Sequence, residues 1–368
     1  MKTWFKRLHL SCALIAGLLL LSLATSASLL VFGKQLQQSL QPGYWQIKPL
    51  PENFDIHPAI ADIRHKAALE SRQIRQIRIA SRPDWPWQVE LADGEQWNYD
   101  PAEGRIIHRL RQGQDFYHWA MRWHRWLWMD EGAAHHWLRH SISAASLLLI
   151  IGLLLGYLMW LWQKKPLKRL RVMPLKTHYG RFYQYHLLAG VITGIPLVLI
   201  ALTGISFNWS TQPLFEAATL SRIEALQAPR KVAVGGLEQL DKALDMAKDR
   251  LPNAAIRRII FPANPHAPLQ VRMQYPWEQA PFSHLWLDAG SGKVAAQHDS
   301  AQASRANRLW DFKYALHTGS WYGISSQLLW LLIAWCLLFM LVSGYYLYFK
   351  RLRASRRTPV RHGADVRP

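Results

Sequence analysis

Residues 137–162 read WLRHSISAASLLLIIGLLLGYLMWLW, residues 163–184 read QKKPLKRLRVMPLKTHYGRFYQ, and residues 185–209 read YHLLAGVITGIPLVLIALTGISFNW. Each apolar run is long enough to cross about 30 Å of hydrocarbon as a helix. In lipid a chain must satisfy its own backbone, which leaves helices and closed barrels. The stretch between the runs carries Lys164, Lys165, Lys168, Arg169, Arg171, Lys176 and Arg181 and no acid. Short loops rich in Lys and Arg stay on the cytoplasmic side. The middle of the chain therefore reads as a membrane hairpin whose basic tip faces the cytoplasm.

Two further apolar blocks lie outward of this hairpin, from Leu10 to Phe32 and from Gln327 to Phe349. The expected order is a first span with a cytoplasmic N-terminus (1–32), a domain (33–136), a second span (137–162), the basic loop (163–184), a third span (185–209), a second domain (210–326), a fourth span (327–349) and a basic tail (350–368). Lys350, Arg351, Arg353, Arg356, Arg357 and Arg361 crowd that tail, whereas 33–136 and 210–326 mix both charge signs. This places both termini in the cytoplasm and both domains in the periplasm of a bacterial inner membrane. The first block also has features of a signal peptide, with Lys2, Lys6 and Arg7 ahead of it and Thr25-Ser26-Ala27 near its end. A retained span is the expectation taken here.

The formal net charge is +20 over 368 residues, but the basic residues flank the spans and do not cover a folded face, so topology accounts for them and nucleic-acid binding is not expected. Cys12 and Cys336 both fall inside apolar blocks, which argues against a periplasmic disulfide and against thiol chemistry.

The two domains resemble one another. Gln73–Val89 reads QIRQIRIASRPDWPWQV and Ala254–Val271 reads AAIRRIIFPANPHAPLQV, each a strand, a Pro-rich bend and the start of a second strand. WNYDPAEGRII at 97–107 and LWLDAGSGKVA at 285–295 are each a strand, an Asp-led turn with Gly and a return strand. Leu237–Arg250 has helical spacing ahead of the second set, and Ile56–Ser71 is its weaker counterpart. The reading is a duplicated unit: four transmembrane helices in two repeats, mainly α, each repeat enclosing a small α+β domain.

A helix, strands and a D-x-x-x-G-[RK]-[IV] turn, duplicated among four membrane helices, resembles the PepSY-associated transmembrane proteins. That iron-regulated group includes siderophore-iron reductases of the ferrioxamine type, described as membrane haem proteins with a histidine ladder. The resemblance extends over nearly the whole chain. It implies an oxidoreductase of iron uptake whose substrate is a ferric siderophore.

The histidines bear on this independently. His9 in RLHLSCALIAGLLL and His186 in YQYHLLAGVITGIPL occupy equivalent places at the cytoplasmic starts of spans one and three. His124 in RWHRWLWMDEG and His317 in ALHTGSWYG precede spans two and four, each of which contains a Gly-Tyr pair, Gly156-Tyr157 or Gly344-Tyr345. An imidazole near hydrocarbon needs a partner or a metal. Facing helices can supply both axial ligands of a haem. Two layers of two histidines predict two haems b, noncovalently held because no C-x-x-C-H motif is present. His140, which shares a helical face with His136, rivals His124, and His178 would extend the ladder if the third helix starts early. Arg122 and Arg125 are possible propionate partners, within a Trp-rich run, Trp119–Trp128, that reads either as an aromatic belt or as the wall of a cofactor site. His57, His108, His266, His284 and His298 are expected on solvated surfaces.

No Rossmann fingerprint is present, so the electron donor would be quinol or a cytoplasmic reductase, with no direct use of nicotinamide. Two other functions fit parts of the sequence. One is a haem-free, membrane-anchored binding or regulatory module, since PepSY-type domains are also associated with peptidase inhibition. The other is a transporter, which ranks last because the spans contain essentially no Asp or Glu to line a path. Pro196 near Gly190, Gly194 and Gly204 instead points to a kink or close helix packing.

Overall fold

The computed structural model describes residues 2–111, 113–129, 133–233 and 236–357. In chain order its helices are α1 (Lys2–Val31), α2 (Gly33–Leu40), α3 (Pro42–Trp45), α4 (Ile56–Leu69), α5 (Phe116–Trp126), α6 (Ala133–Leu161), α7 (His178–Ile205), α8 (Gln212–Thr219), α9 (Leu240–Arg250), α10 (Arg305–Thr318) and α11 (Gly323–Arg357). Its strands are β1 (Ile74–Arg78), β2 (Trp87–Leu91), β3 (Glu95–Asp100), β4 (Arg105–Arg111), β5 (Ala255–Ile260), β6 (Leu269–Gln274), β7 (Ser283–Asp288) and β8 (Lys293–His298). The chain divides into a membrane unit, residues 1–31, 123–210 and 316–368, and a sheet unit, residues 32–122 and 211–315.

Among the described residues four helices are long and apolar enough to cross a membrane: Thr3–Val31, His135–Leu161, His178–Ile205 and Ser320–Ala354. The third begins at His178, earlier than hydropathy alone suggests. The Thr177 hydroxyl accepts from the Gly180 N–H and caps the helix there. Each of α1 and α7 packs against both α6 and α11. Ala16, Leu20, Ala24, Ala145, Leu197 and Ile333 fill the centre, while Ile15, Leu18, Ile192 and Ile195 stay exposed, as lipid-facing positions require. Lipid is as apolar as Leu, so close backbone approach and polar contacts must hold such a bundle. The Tyr345 hydroxyl donates to Ala13 O at 3.2 Å and Tyr157 to Val191 O at 2.7 Å. Gly17 and Gly194 give these two rings their room.

In the sheet unit the two expected domains form one body. A single antiparallel sheet runs β4-β3-β2-β1-β5-β6-β7-β8, joined at its middle where Ile77 of β1 faces Ile259 of β5. Separate domains would each leave an apolar edge strand with unpaired backbone groups, and pairing the two edges removes both. One face carries Ile77, Val89, Trp97, Ile259, Val271 and Leu285, buried under Ile60 and Ile63 of α4 and Leu240 and Leu244 of α9. The Asp-led turns are built as their residues dictate. Asp100 accepts from the backbone of Ala102 and Glu103, Asp288 from that of Gly290, and Gly104 and Gly292 take the left-handed conformation that closes each turn.

The opposite face is polar. Across the strands, in register, lie His108, Asn98, Gln88, Arg78, Arg258, Arg272, His284 and His298. His284, expected at a solvated surface, is buried: it sits on an inner strand and accepts from the Gln270 amide at 2.9 Å. Burial, followed by the nearby Arg272, His298 and Arg258, lowers its pKa to about 3.

Two outcomes test this fold. Gln76 and Ile260 face each other across β1 and β5, within the Cα separation a disulfide needs. Oxidising a Gln76→Cys, Ile260→Cys variant should yield the cross-linked peptide in mass spectrometry, and two independent domains would yield none. A histidine whose folded pKa lies below its ordinary 6.5 stabilises the fold above that pH and withdraws the stability as pH falls toward 3. Melting temperature followed from pH 7 to 4 should therefore fall less steeply in His284→Gln than in the unaltered protein.

Candidate functional site

Four of the predicted histidines meet in two pairs, both inside the membrane unit. His9 on α1 and His186 on α7 have ring centroids 6.4 Å apart with planes at 84°. His124 on α5 and His317 near the end of α10 have centroids 6.2 Å apart at 51°. All four rings are half-buried.

What surrounds the rings decides their chemistry. Nδ1 of His9 lies 2.8 Å from Gly152 O, and Nδ1 of His317 lies 3.0 Å from Ile200 O. A carbonyl only accepts, so both nitrogens donate. Nδ1 of His186 lies 2.9 Å from Ser343 Oγ, whose own proton is directed at Met340 O. Nδ1 of His124 lies 3.0 Å from Ser26 Oγ, which donates to Ser22 O and Leu23 O. Thr203 Oγ1, beside His317, likewise donates back to Leu199 O and Ile200 O. In every neutral ring the proton is thus held on Nδ1, and Nε2 keeps a free lone pair.

The two pairs sit at different depths. His9 and Ser26 lie on the same helix, separated by roughly 25 Å at 1.5 Å rise per residue, and Ser26 is the residue that holds His124. Glycines flank three of the four rings: a Cβ at Gly156 would lie 3.6 Å from His9 Cε1, at Gly344 3.4 Å from His186 Cε1, and at Gly204 3.1 Å from His317 Cε1. The Trp-rich run contributes Trp123, whose indole donates to Ser22 Oγ at 2.8 Å.

The rival residues lie elsewhere. His136 and His140 are exposed, with their rings 4.5 Å apart. The Trp209 indole donates to His140 Nδ1 at 2.9 Å, which leaves the proton of the neutral ring on Nε2, the reverse of the four paired rings. His178 is exposed at the start of α7, 3.4 Å from an Arg181 nitrogen. Arg125 stacks over Trp126 at 4.5 Å, and Arg122 lies one turn earlier on α5, within the sheet unit. Sequence reading found the histidines but missed Ser26, Thr203 and Ser343, all buried. Their signal was a lone hydroxyl within an apolar run, which also suits an ordinary bond back along the helix.

These pairs pass a test of fit for haem. Imidazole nitrogens bond transition metals at about 2 Å, so rings with centroids roughly 6 to 6.5 Å apart could hold one iron between them. Among the described residues no group of three or more His, Cys, Asp or Glu side chains is placed to hold a metal by itself. A pair of neutral imidazoles is a donor set that a macrocycle completes.

The architecture is that of a multi-pass membrane protein with histidine pairs at two levels of a four-helix bundle. Residues 6–351 match the family described as PepSY-associated TM region, and the chain belongs to that family. No curated protein matches it.

Gly204 offers a direct test of the local packing. Gly204→Val adds carbon against the His317 ring and should displace it, destabilising the bundle by about 1–3 kcal/mol. Thermal unfolding in detergent reads that loss, and an unchanged midpoint would show that the ring has room to move.

Proposed function

We propose that the protein is a haem-containing reductase of the bacterial inner membrane that passes electrons across the bilayer and reduces ferric siderophore iron in the periplasm. The observation that carries this reading is the set of four imidazoles, paired at two depths, each with Nδ1 committed as a donor. His9 and His186 would hold one haem b and His124 and His317 the other, each haem supplying a one-electron couple when bound. Backbone carbonyls and buried hydroxyls keep the rings in the ligating tautomer and fix their orientation. Apolar walls exclude water, which limits proton exchange at the imidazoles. The basic 163–184 loop favours a cytoplasmic electron entry side, with quinol or a cytoplasmic reductase as donor. Duplication of a helix, strand and span unit accounts for the matching surroundings of His9 and His186 and of His124 and His317. The hard oxygen donors of siderophores hold Fe(III) far better than Fe(II), so adding one electron releases the metal.

A visible spectrum of the detergent-purified protein before and after dithionite tests this. A Soret band, sharpened α and β bands and about two haems b per chain are expected. His186→Ala and His317→Ala should each lose about one haem, and His140→Ala neither. A colourless protein from haem-replete cells overturns the reductase and leaves the binding or regulatory module.

A further inference from the structure

The polar face of the sheet unit holds an excess of positive charge that its own residues do not neutralise. Arg78, Arg258 and Arg272 stand directly opposite one another on β1, β5 and β6. Like charges in facing positions of a sheet repel. Glu90 answers part of this, bonding Arg75 at 2.8 Å and Arg78 at 3.1 Å. Among the described residues no carboxylate forms an ion pair with Arg257, Arg258 or Arg272. The Nε atoms of Arg78, Arg257 and Arg272 are buried without a hydrogen-bond partner. Burial, then Arg78 and Arg272, pushes the Arg258 pKa down to about 10.

Part of this charge borders a cavity of about 360 Å³, the size of a small-molecule site. Lys34, Arg78, Arg257 and Arg258 line it, together with six glutamines and the rings of Trp45 and Trp85. Among the described residues the one acid on its wall is Asp115, which is bonded to His118. Arg257 and Arg258 are half-buried and, among the described residues, have no carboxylate partner, and an anionic ligand would supply the missing counter-charge.

We infer that this cavity binds the substrate chelate and selects it by charge: its ligand is a net-negative ferric chelate with catecholate rings, in which phenolate oxygens meet Lys34, Arg78 and Arg258 and the flat rings meet Trp45 or Trp85. A tris-hydroxamate iron core is neutral and gains nothing from these cations. That the anion carries iron rests on the reductase reading; that the cavity takes an aromatic anion rests on the sheet unit's own residues.

Gallium(III) chelates separate the two claims, because Ga(III) matches the charge of Fe(III) and is not reduced. Calorimetric titration of the full-length protein in detergent should show gallium tris-catecholate binding at least ten-fold more tightly than gallium tris-hydroxamate, with the preference shrinking at high salt. Arg258→Gln should remove that preference while leaving the visible spectrum unchanged. Its melting temperature without ligand should rise, since a facing charge has been removed, which also shows that the variant folds. Arg257→Gln is a second variant with the same expected loss. Equal affinity for the two chelates, unweakened binding by both variants, or displacement by inorganic phosphate at equal concentration overturns the inference. A colourless protein that still binds the catecholate through Arg258 supports the site and removes the reductase reading alone.

Discussion

The bond from each histidine Nδ1 to a neighbouring helix is the constraint on which the rest of the candidate centre depends. An imidazole in an apolar bundle can turn over between two tautomers, only one of which leaves Nε2 with a free lone pair. Gly152 O, Ile200 O and the Ser26 and Ser343 hydroxyls remove that freedom. They do so from different helices: α6 holds a ring of α1, α11 holds a ring of α7, α1 holds a ring of α5, and α7 holds a ring of α10. The chemistry of each ring is therefore tied to the closure of the bundle, and a shift of one helix relative to another would loosen an imidazole as well as a packing contact.

The same economy explains why so much polar chemistry is tolerated in the membrane unit. Ser26 and Thr203 each direct their proton back along the helix and present a lone pair to a ring. Neither hydroxyl leaves its proton facing hydrocarbon, where an unmade bond is costly. The tyrosines follow the same rule, with Tyr157 and Tyr345 reaching across the bundle to carbonyls exposed beside small residues. The sheet unit departs from it: its row of arginines is concentrated where neutralisation is incomplete, a local conflict of the kind folded proteins keep at sites of use.

Much of this was legible from residues alone, for identifiable reasons. Apolar runs the length of a bilayer admit few structures, and the strand and turn signatures at 97–107 and 285–295 fall on β3–β4 and β7–β8. Equivalent placement of His9 with His186, and of His124 with His317, singled out the four rings that the fold pairs. The joining of both halves into one sheet was not legible, because strand pairing between β1 and β5 is specified by edges and carries no mark in either segment. Nor was the choice between His124 and His140, since both have aromatic and basic neighbours. The two differ in what meets the ring: Nδ1 of His124 faces the Ser26 hydroxyl, and Nδ1 of His140 accepts from an indole N–H. The arginine row escaped notice because its members are far apart in the chain and adjacent only through register.

The central β1–β5 seam has a consequence for how the protein is made. β1 ends at Arg78 and β5 begins at Ala255, so a ribosome adding about 5–20 residues per second leaves the first half-sheet waiting on the order of ten seconds or more for its partner. During that interval β1 is an open edge with an apolar face, and two spans must enter the bilayer before it can be covered. Biogenesis thus contains an obligatory unprotected stage, the period in which a protease or a second nascent chain competes with the protein's own later half.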